Sequence, residues 1–227
     1  MSTHSREDLT PTSFAMLGLL AIQPWTTYEL AKQMQRSVHF FWPRAERKLY
    51  DEPKRLAALG LASSRSVATG KRTSNVYEIT AEGRAALREW LRDGPGEPMV
   101  IEMEPLLRVF FADGASKADL HTTLAGIESQ ASDTLGRLGA MAAEIAAGID
   151  HFAGRRATNA LAMELWVRLH ETARDWATWA QAEADTWPSV RRGRQQVAAG
   201  SPERGSELFA AIVDRLSAPD GGVRAAD

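Results

Sequence analysis

The spacing of apolar positions divides the chain into a mixed first half and a helical second half. Residues 1–9 are polar and without period, and are expected to be disordered. Thr10-Pro11 reads as an N-cap followed by Pro at the first helical position. The helix it opens, SFAMLGLLAI, is apolar nearly all round and should be buried; Gln23-Pro24 ends it. A second helix starts at Thr26 or Thr27, either of which can cap, and runs through YELAKQMQ with Tyr28, Leu30, Ala31 and Met34 as its inward stripe. Pro43 suits the first turn of a third helix. On its wheel Ala45, Leu49, Pro53 and Leu56 share one side, while Arg44, Arg47, Asp51, Lys54, Arg55 and Ala58 share the other, with Lys48 flanking. Pro53 lacks the N–H for the Leu49 carbonyl and crowds it, so a kink or two segments is expected there, with Asp51 or Glu52 capping the second. Gly60 terminates the element.

LASSRSV (61–67) and NVYEI (75–79) read as short strands, joined by a flexible loop ATGKRTS with Gly70, Lys71 and Arg72 at its tip. Thr80 caps the helix AEGRAALREWL, with Ala81, Ala85 and Leu91 inward. Three helices, a hairpin and a helix within residues 10–92 fit a helix-turn-helix with a β-wing. DGPGEP begins a linker, residues 93–102.

Beyond it, MEPLLRVFFADG predicts a short helix closed by Gly114, and Ser116 caps a long one reaching about Ala147. Residues 157–186 form another, with Leu161, Leu165, Leu169, Thr172, Trp176, Trp179 and Glu183 at three- and four-residue steps. Two such helices have little to bury within one chain, which points to a homodimer, with Leu165, Leu169, Trp176 and Trp179 as candidate interface residues. Residues 103–190 are thus the expected helical dimerisation domain. Residues 191–227 are an extension, partly disordered, in which SELFAAIVDRL suits a short amphipathic helix and SAPDGGVRAAD is expected to be disordered. The expected fold class is mostly α: an N-terminal winged helix-turn-helix with a two-stranded wing, and long C-terminal helices.

Charge sharpens this division. Residues 1–92 hold 14 Lys and Arg against nine Asp and Glu, and residues 93–227 hold 13 against 20. A basic half joined to an acidic one suggests that only the first meets a polyanion. The absence of cysteine removes disulfides, thiolate catalysis and Cys-based zinc sites. The polar start MSTHSREDLT does not resemble a signal peptide, and no run approaches the ~18 apolar residues of a membrane span, so a cytoplasmic, membrane-free protein is expected. HExxH, P-loop, GxGxxG and GxSxG patterns are missing, and the five His lack metal-ligand spacing. No enzyme activity, cofactor or metal is expected.

A helix with a cationic outer face, followed by a basic hairpin, suits double-stranded DNA. Lys and Arg displace counterions from the phosphate line, and Arg can grip guanine O6 and N7 together in the major groove. Arg44, Arg47 and Lys48 lie toward the N-terminal end of the third helix, where such helices touch bases, with Lys54 farther along the same face. Arg65, Lys71 and Arg72 would reach flanking phosphates or the minor groove, and Thr73, Ser74 and Asn75 carry short hydrogen-bonding groups for phosphate. A merely solvated charged face explains the helix alone, but not helix, wing and charge asymmetry together. Phe40, Phe41 and Trp42 read as a hydrophobic anchor fixing the helix entry angle, ahead of base stacking.

FAMLGLLA, the Tyr-Glu-Leu of TTYELAKQM, FWPRAERKLYDEPKRLAALGLA and VYEITAEGRAALREWL together resemble the PadR family of transcriptional regulators, over residues 9–92. The resemblance implies a homodimer on palindromic operator DNA, usually a repressor, with Arg44, Arg47, Lys48 and Tyr50 on the recognition helix and Lys71 and Arg72 on the wing. Two departures stand out. Asp51-Glu52-Pro53 replaces the family's Pro, Ala and aliphatic residue, and Thr27 stands where a Gly is common. In several members a small molecule releases DNA, and some hold flat aromatic compounds against Trp. That makes Trp90, Trp166 and His170 candidate ligand residues for a small aromatic effector, while Trp176 and Trp179 are better read as dimer packing. The rival is a helical protein-interaction module that docks a protein partner and never DNA; a steep loss of affinity with salt separates the two.

Overall fold

The computed structural model describes residues 9–36, 38, 42, 49–69, 72–149, 152–190 and 202–217. Expectations for residues 1–8, Phe40, Phe41, Pro43, Arg44, Ala45, Arg47, Lys48, Gly70, Lys71, residues 191–200 and residues 218–227 fall outside the described residues, as does the side chain of Arg72. The chain forms two compact units that divide between Met99 and Val100. The architecture is mostly helical with a small antiparallel sheet, as expected.

In the first unit α1 (Pro11–Leu20) opens with the anticipated cap. Thr10 Oγ1 accepts from the Ser13 N–H, and Ser13 Oγ accepts from the Thr10 N–H in return. Phe14, Met16, Leu17 and Leu20 are all buried, so this helix is the centre of the core. A two-residue strand β1 (Trp25–Thr26) follows and leads directly into α2 (Thr27–Arg36). The Glu29 N–H donates to Thr26 Oγ1, while Glu29 Oε2 accepts from the Thr26 N–H and hydroxyl. Those two Thr26 bonds hold the Glu29 carboxyl below its ordinary value. Leu30, Ala31 and Met34 face inward as expected. Tyr28 does not; it is 68% exposed. Its aromatic ring made it look like core.

The next helix is α3 (Glu52–Ala58), preceded by a turn at residues 49–51. Pro53 lies in the first turn of α3, where its missing N–H is not needed. Asp51 occupies the cap position without a side-chain cap bond, and Glu52 is buried rather than capping. Leu49, Pro53 and Leu56 face the core, and Gly60 closes the element with φ 72°.

The strands are longer than the apolar pattern indicated. β2 (Ala62–Thr69) and β3 (Arg72–Ile79) pair antiparallel from Ala62↔Ile79 to Thr69↔Arg72, leaving only 70–71 between them. Residues 68, 69 and 72–74 are therefore ladder, not flexible loop. Polar Thr, Ser and Arg side chains hid this, since a strand beyond the core needs no apolar face. β1 completes the sheet in the order β1-β3-β2.

α4 (Ala81–Arg92) is capped by Thr80, whose Oγ1 accepts from the Gly83 N–H and donates to the Gly60 carbonyl. Its inner line is Gly83, Ala86 and Leu87, not Ala81, Ala85 and Leu91, which are exposed. The helix is pressed on Leu61 through the bare face of Gly83, and that contact sets its rotation. Trp90 stacks on Phe14, with ring centroids 4.8 Å apart and planes 5° from parallel.

The second unit contains α5 (Glu104–Phe110), α6 (Lys117–Ala146), α7 (Arg156–Asp185) and α8 (Pro202–Ser217). Ser116 caps α6 with Asp119 as its reciprocal partner. Contrary to the expectation that these long helices lack a partner within the chain, α6 and α7 pack on each other. Leu120, Leu124, Ile127 and Leu138 are buried along α6, and Ala177 and Ala184 along α7. The pair is antiparallel: Lys117 Nζ donates to the carbonyls of Asp185 and Trp187, and Gln181 Nε2 to Glu128 Oε2. Glu183, which sat in the apolar repeat, is buried as an ion pair. Arg204 grips both its oxygens at 2.8 and 2.6 Å and the Trp187 indole donates at 3.0 Å.

That pair makes the second unit acid-sensitive. The Arg204 bonds, then the Trp187 bond, hold the Glu183 carboxyl down at about 2, against burial, which pushes the other way. An unfolded Glu titrates near ~4.3. The stabilisation is therefore complete above that value and is lost as pH falls through about 2. In urea unfolding followed by Trp fluorescence, the advantage of the parent over Glu183→Gln should shrink steadily below pH 5; a difference constant down to pH 2 would contradict the pairing.

Candidate nucleic-acid interface

The core of the first unit pushes its charged residues outward in two places. One is the surface around α3. Tyr50, in the turn before it, is 56% exposed, and Lys54 points to solvent with Asp51 3.9 Å away. Both belong to the predicted set. Arg55, expected on the same outer face, turns inward instead. Its Nη2 lies 2.8 Å from Glu52 Oε1 and 3.0 Å from Ser13 Oγ, and its Nε lies 3.1 Å from Glu52 Oε2. Seven residues of α3 are too few for the wheel to decide this; the buried carboxylate one turn away decides it.

The other place is the wing. Arg65 pairs with Val76 and Thr73 with Ala68, and both Arg65 and Thr73 are exposed. Side chains alternate along a strand, so these two register positions fall on opposite faces of the hairpin. Arg72 pairs with Thr69 at the end of the ladder nearest the tip. The sequence reading missed α2, where Tyr28, Lys32 and Arg36 are exposed on the helix leading toward the cationic segment. The only signal for them was the charge of Lys32 and Arg36 opposite Leu30, Ala31 and Met34.

The candidate effector residues divide between the units. Trp90 belongs to the first, on Phe14. Trp166 and His170 sit one turn apart on α7, rings 5.0 Å apart and edge-on, and His170 Nδ1 donates to the Trp166 carbonyl at 2.9 Å. Of the candidate interface residues, Leu165 and Trp179 are exposed and Leu169 is half-buried. Trp176 packs on the cluster of Leu120, Leu124, Ala184 and Val190 in its own unit. Among the described residues no three His, Asp or Glu come together to hold a metal ion, and no helix is long and apolar enough to cross a membrane.

Comparison with known proteins follows this division. Residues 16–89 match the Transcriptional regulator PadR-like family, and residues 103–185 match the Virulence activator alpha C-terminal family. The negative transcriptional regulator PadR of Bacillus subtilis is 25% identical over 107 residues, spanning 47% of this chain and 59% of that protein. Similar solved structures include the same PadR with operator DNA (TM-score 0.66, 19% identity, 76% of this chain and 98% of that one). Another is that PadR with p-coumaric acid (0.62, 18%, 78% and 98%). A third is the Vibrio cholerae virulence activator AphA (0.58, 21%, 77% and 98%). Residues 16–89 of this chain thus match the PadR-like transcriptional regulator family, and the chain shares the winged-helix fold of the solved PadR structures.

Proposed function

We propose that this chain is a sequence-specific DNA-binding transcriptional regulator, a repressor that binds a palindromic operator as a homodimer. Residues 10–92 serve as the DNA-binding domain, residues 93–102 as the linker and residues 103–190 as the dimerisation domain. The observation that carries this reading is a PadR-like domain whose α3 surface and wing expose Tyr50, Lys54 and Arg65 away from the core. In it, Arg44, Arg47 and Lys48 enter the major groove, where a planar guanidinium meets both acceptors of a guanine. Lys54, Arg65, Lys71, Arg72 and Thr73 hold phosphates and set orientation without reading sequence. Two copies would present these segments about 34 Å apart, in successive major grooves. A small aromatic effector, at Trp90 or at Trp166 and His170, releases the operator by changing that separation. The p-coumaric acid bound to the B. subtilis relative lends this class of ligand support.

Selection of bound fragments from random DNA tests the reading. Affinity for the selected site should fall with salt at a log–log slope of several units. Arg44→Ala or Arg47→Ala should cost about 1–3 kcal/mol and relax the preference at one position, whereas Lys71→Ala should weaken all sequences alike and lower the slope by about one. Salt-insensitive binding, or none, would favour the protein-docking module instead.

A further inference from the structure

We propose that the first turn of α1 acts as the seat that positions the DNA-reading residues 43–48, and that Trp42 and Glu52 are its positioning residues. The inference rests on the proposed DNA-binding function. It stands on two hydrogen-bonded ties that flank this segment and end on adjacent residues. Before it, the Trp42 indole N–H donates to Thr12 Oγ1 at 3.0 Å. After it, Ser13 Oγ donates to Glu52 Oε1 at 2.6 Å. Thr12 and Ser13 are both buried, so neither hydroxyl is held by solvent.

The second tie is fully connected. The Ser13 hydroxyl gives its one proton to Glu52 and accepts from the Thr10 N–H at 2.9 Å and from Arg55 Nη2 at 3.0 Å. Arg55 also closes on both Glu52 oxygens. A carboxylate only 4% exposed is costly to desolvate, and an aliphatic side chain would fill the same volume without that cost. Hydrogen bonds supply what an aliphatic contact lacks, a fixed direction. Glu52 is also where the chain departs from the PadR pattern, in Asp51-Glu52-Pro53. The cap of α1 thereby sets where the chain enters and leaves the segment between Trp42 and Glu52. Each tie acts through the residues it flanks.

The test uses the full chain, its selected operator and a random duplex, with three variants: Trp42→Phe, Glu52→Gln, and the double change Ser13→Ala with Glu52→Leu. The double change removes the ion pair but keeps an apolar fill, so it folds even where a lone Glu52→Gln is unstable. Trp42→Phe reads the first tie independently of any buried charge. Operator affinity should fall about tenfold in each, out of the several orders of magnitude that separate specific from non-specific binding. Random-duplex affinity and the salt slope should stay as in the parent, and reselected sites should be broader. Folded variants that reselect the parental site at parental affinity overturn the proposal, and so does an equal loss on both duplexes. A parent that ignores every duplex in dilute buffer takes down the proposed function itself and this inference with it, and that is read before any variant is made.

Discussion

Gly83→Ala is expected to lower the melting temperature of the first unit by roughly 10–20 °C, from a loss of about 3 kcal/mol. A Cβ at this position would stand 2.0 Å from the Leu61 carbonyl oxygen, 2.9 Å from Ile79 Cγ1 and 3.0 Å from the Leu61 carbonyl carbon. The nearest atom is backbone, and it is already held: the Thr80 N–H donates to that oxygen at 3.1 Å. Retreat of α4 would stretch that bond, the Thr80 cap and the Phe14–Trp90 stack together. Replacing glycine in a helix ordinarily adds about 1 kcal/mol through propensity, which is too little to reverse the sign. Thermal unfolding by circular dichroism decides it, and an unchanged or raised midpoint would mean that α4 can lift from Leu61 freely.

On the proposed homodimer, Leu161→Glu with Leu165→Glu should leave a monomer and cut operator affinity by about 10²-fold or more, because the second half-site is then no longer bound at high effective concentration. These two leucines lie one turn apart on α7 and are 75% and 57% exposed, away from the seam with α6. Trp179, 51% exposed, is farther along the same helix. Exposed apolar side chains in a row are a surface to be covered, and two carboxylates there would be buried without partners in a dimer. Sedimentation velocity reads the assembly directly. A variant that remains dimeric with parental affinity would move the interface elsewhere. A monomeric parent would remove it altogether.

Elements whose limits depend on neighbours in the chain were legible from residue order. Thr10, Thr80 and Ser116 each begin a helix because a short oxygen-bearing side chain reaches an N–H three residues on, and that bond needs nothing distant. Gly60 ends α3 for an equally local reason, a positive φ. The wing was legible as a hairpin but not in length, because its outer half is polar and has no core to mark its register. Tyr28 and Arg55 were placed on the wrong sides. A wheel drawn over one turn assigns faces by residue type, and type alone does not say where the rest of the protein lies. The long helices of the second half were bounded well. Their packing on each other was missed, since apolar steps along one helix do not name the helix they meet.

Residue order alone determined the helices that Thr10, Thr80 and Ser116 cap, the basic and acidic halves, and the likeness of residues 16–89 to the PadR family. Those follow from local hydrogen bonding, periodicity and composition. Tertiary structure alone decided that Glu52 is buried against Ser13, 39 residues away, that Gly83 must have no side chain, and that Arg204 holds Glu183. Each of these depends on a group far along the chain arriving within about 3 Å, a distance at which desolvation and steric contact outweigh any local preference.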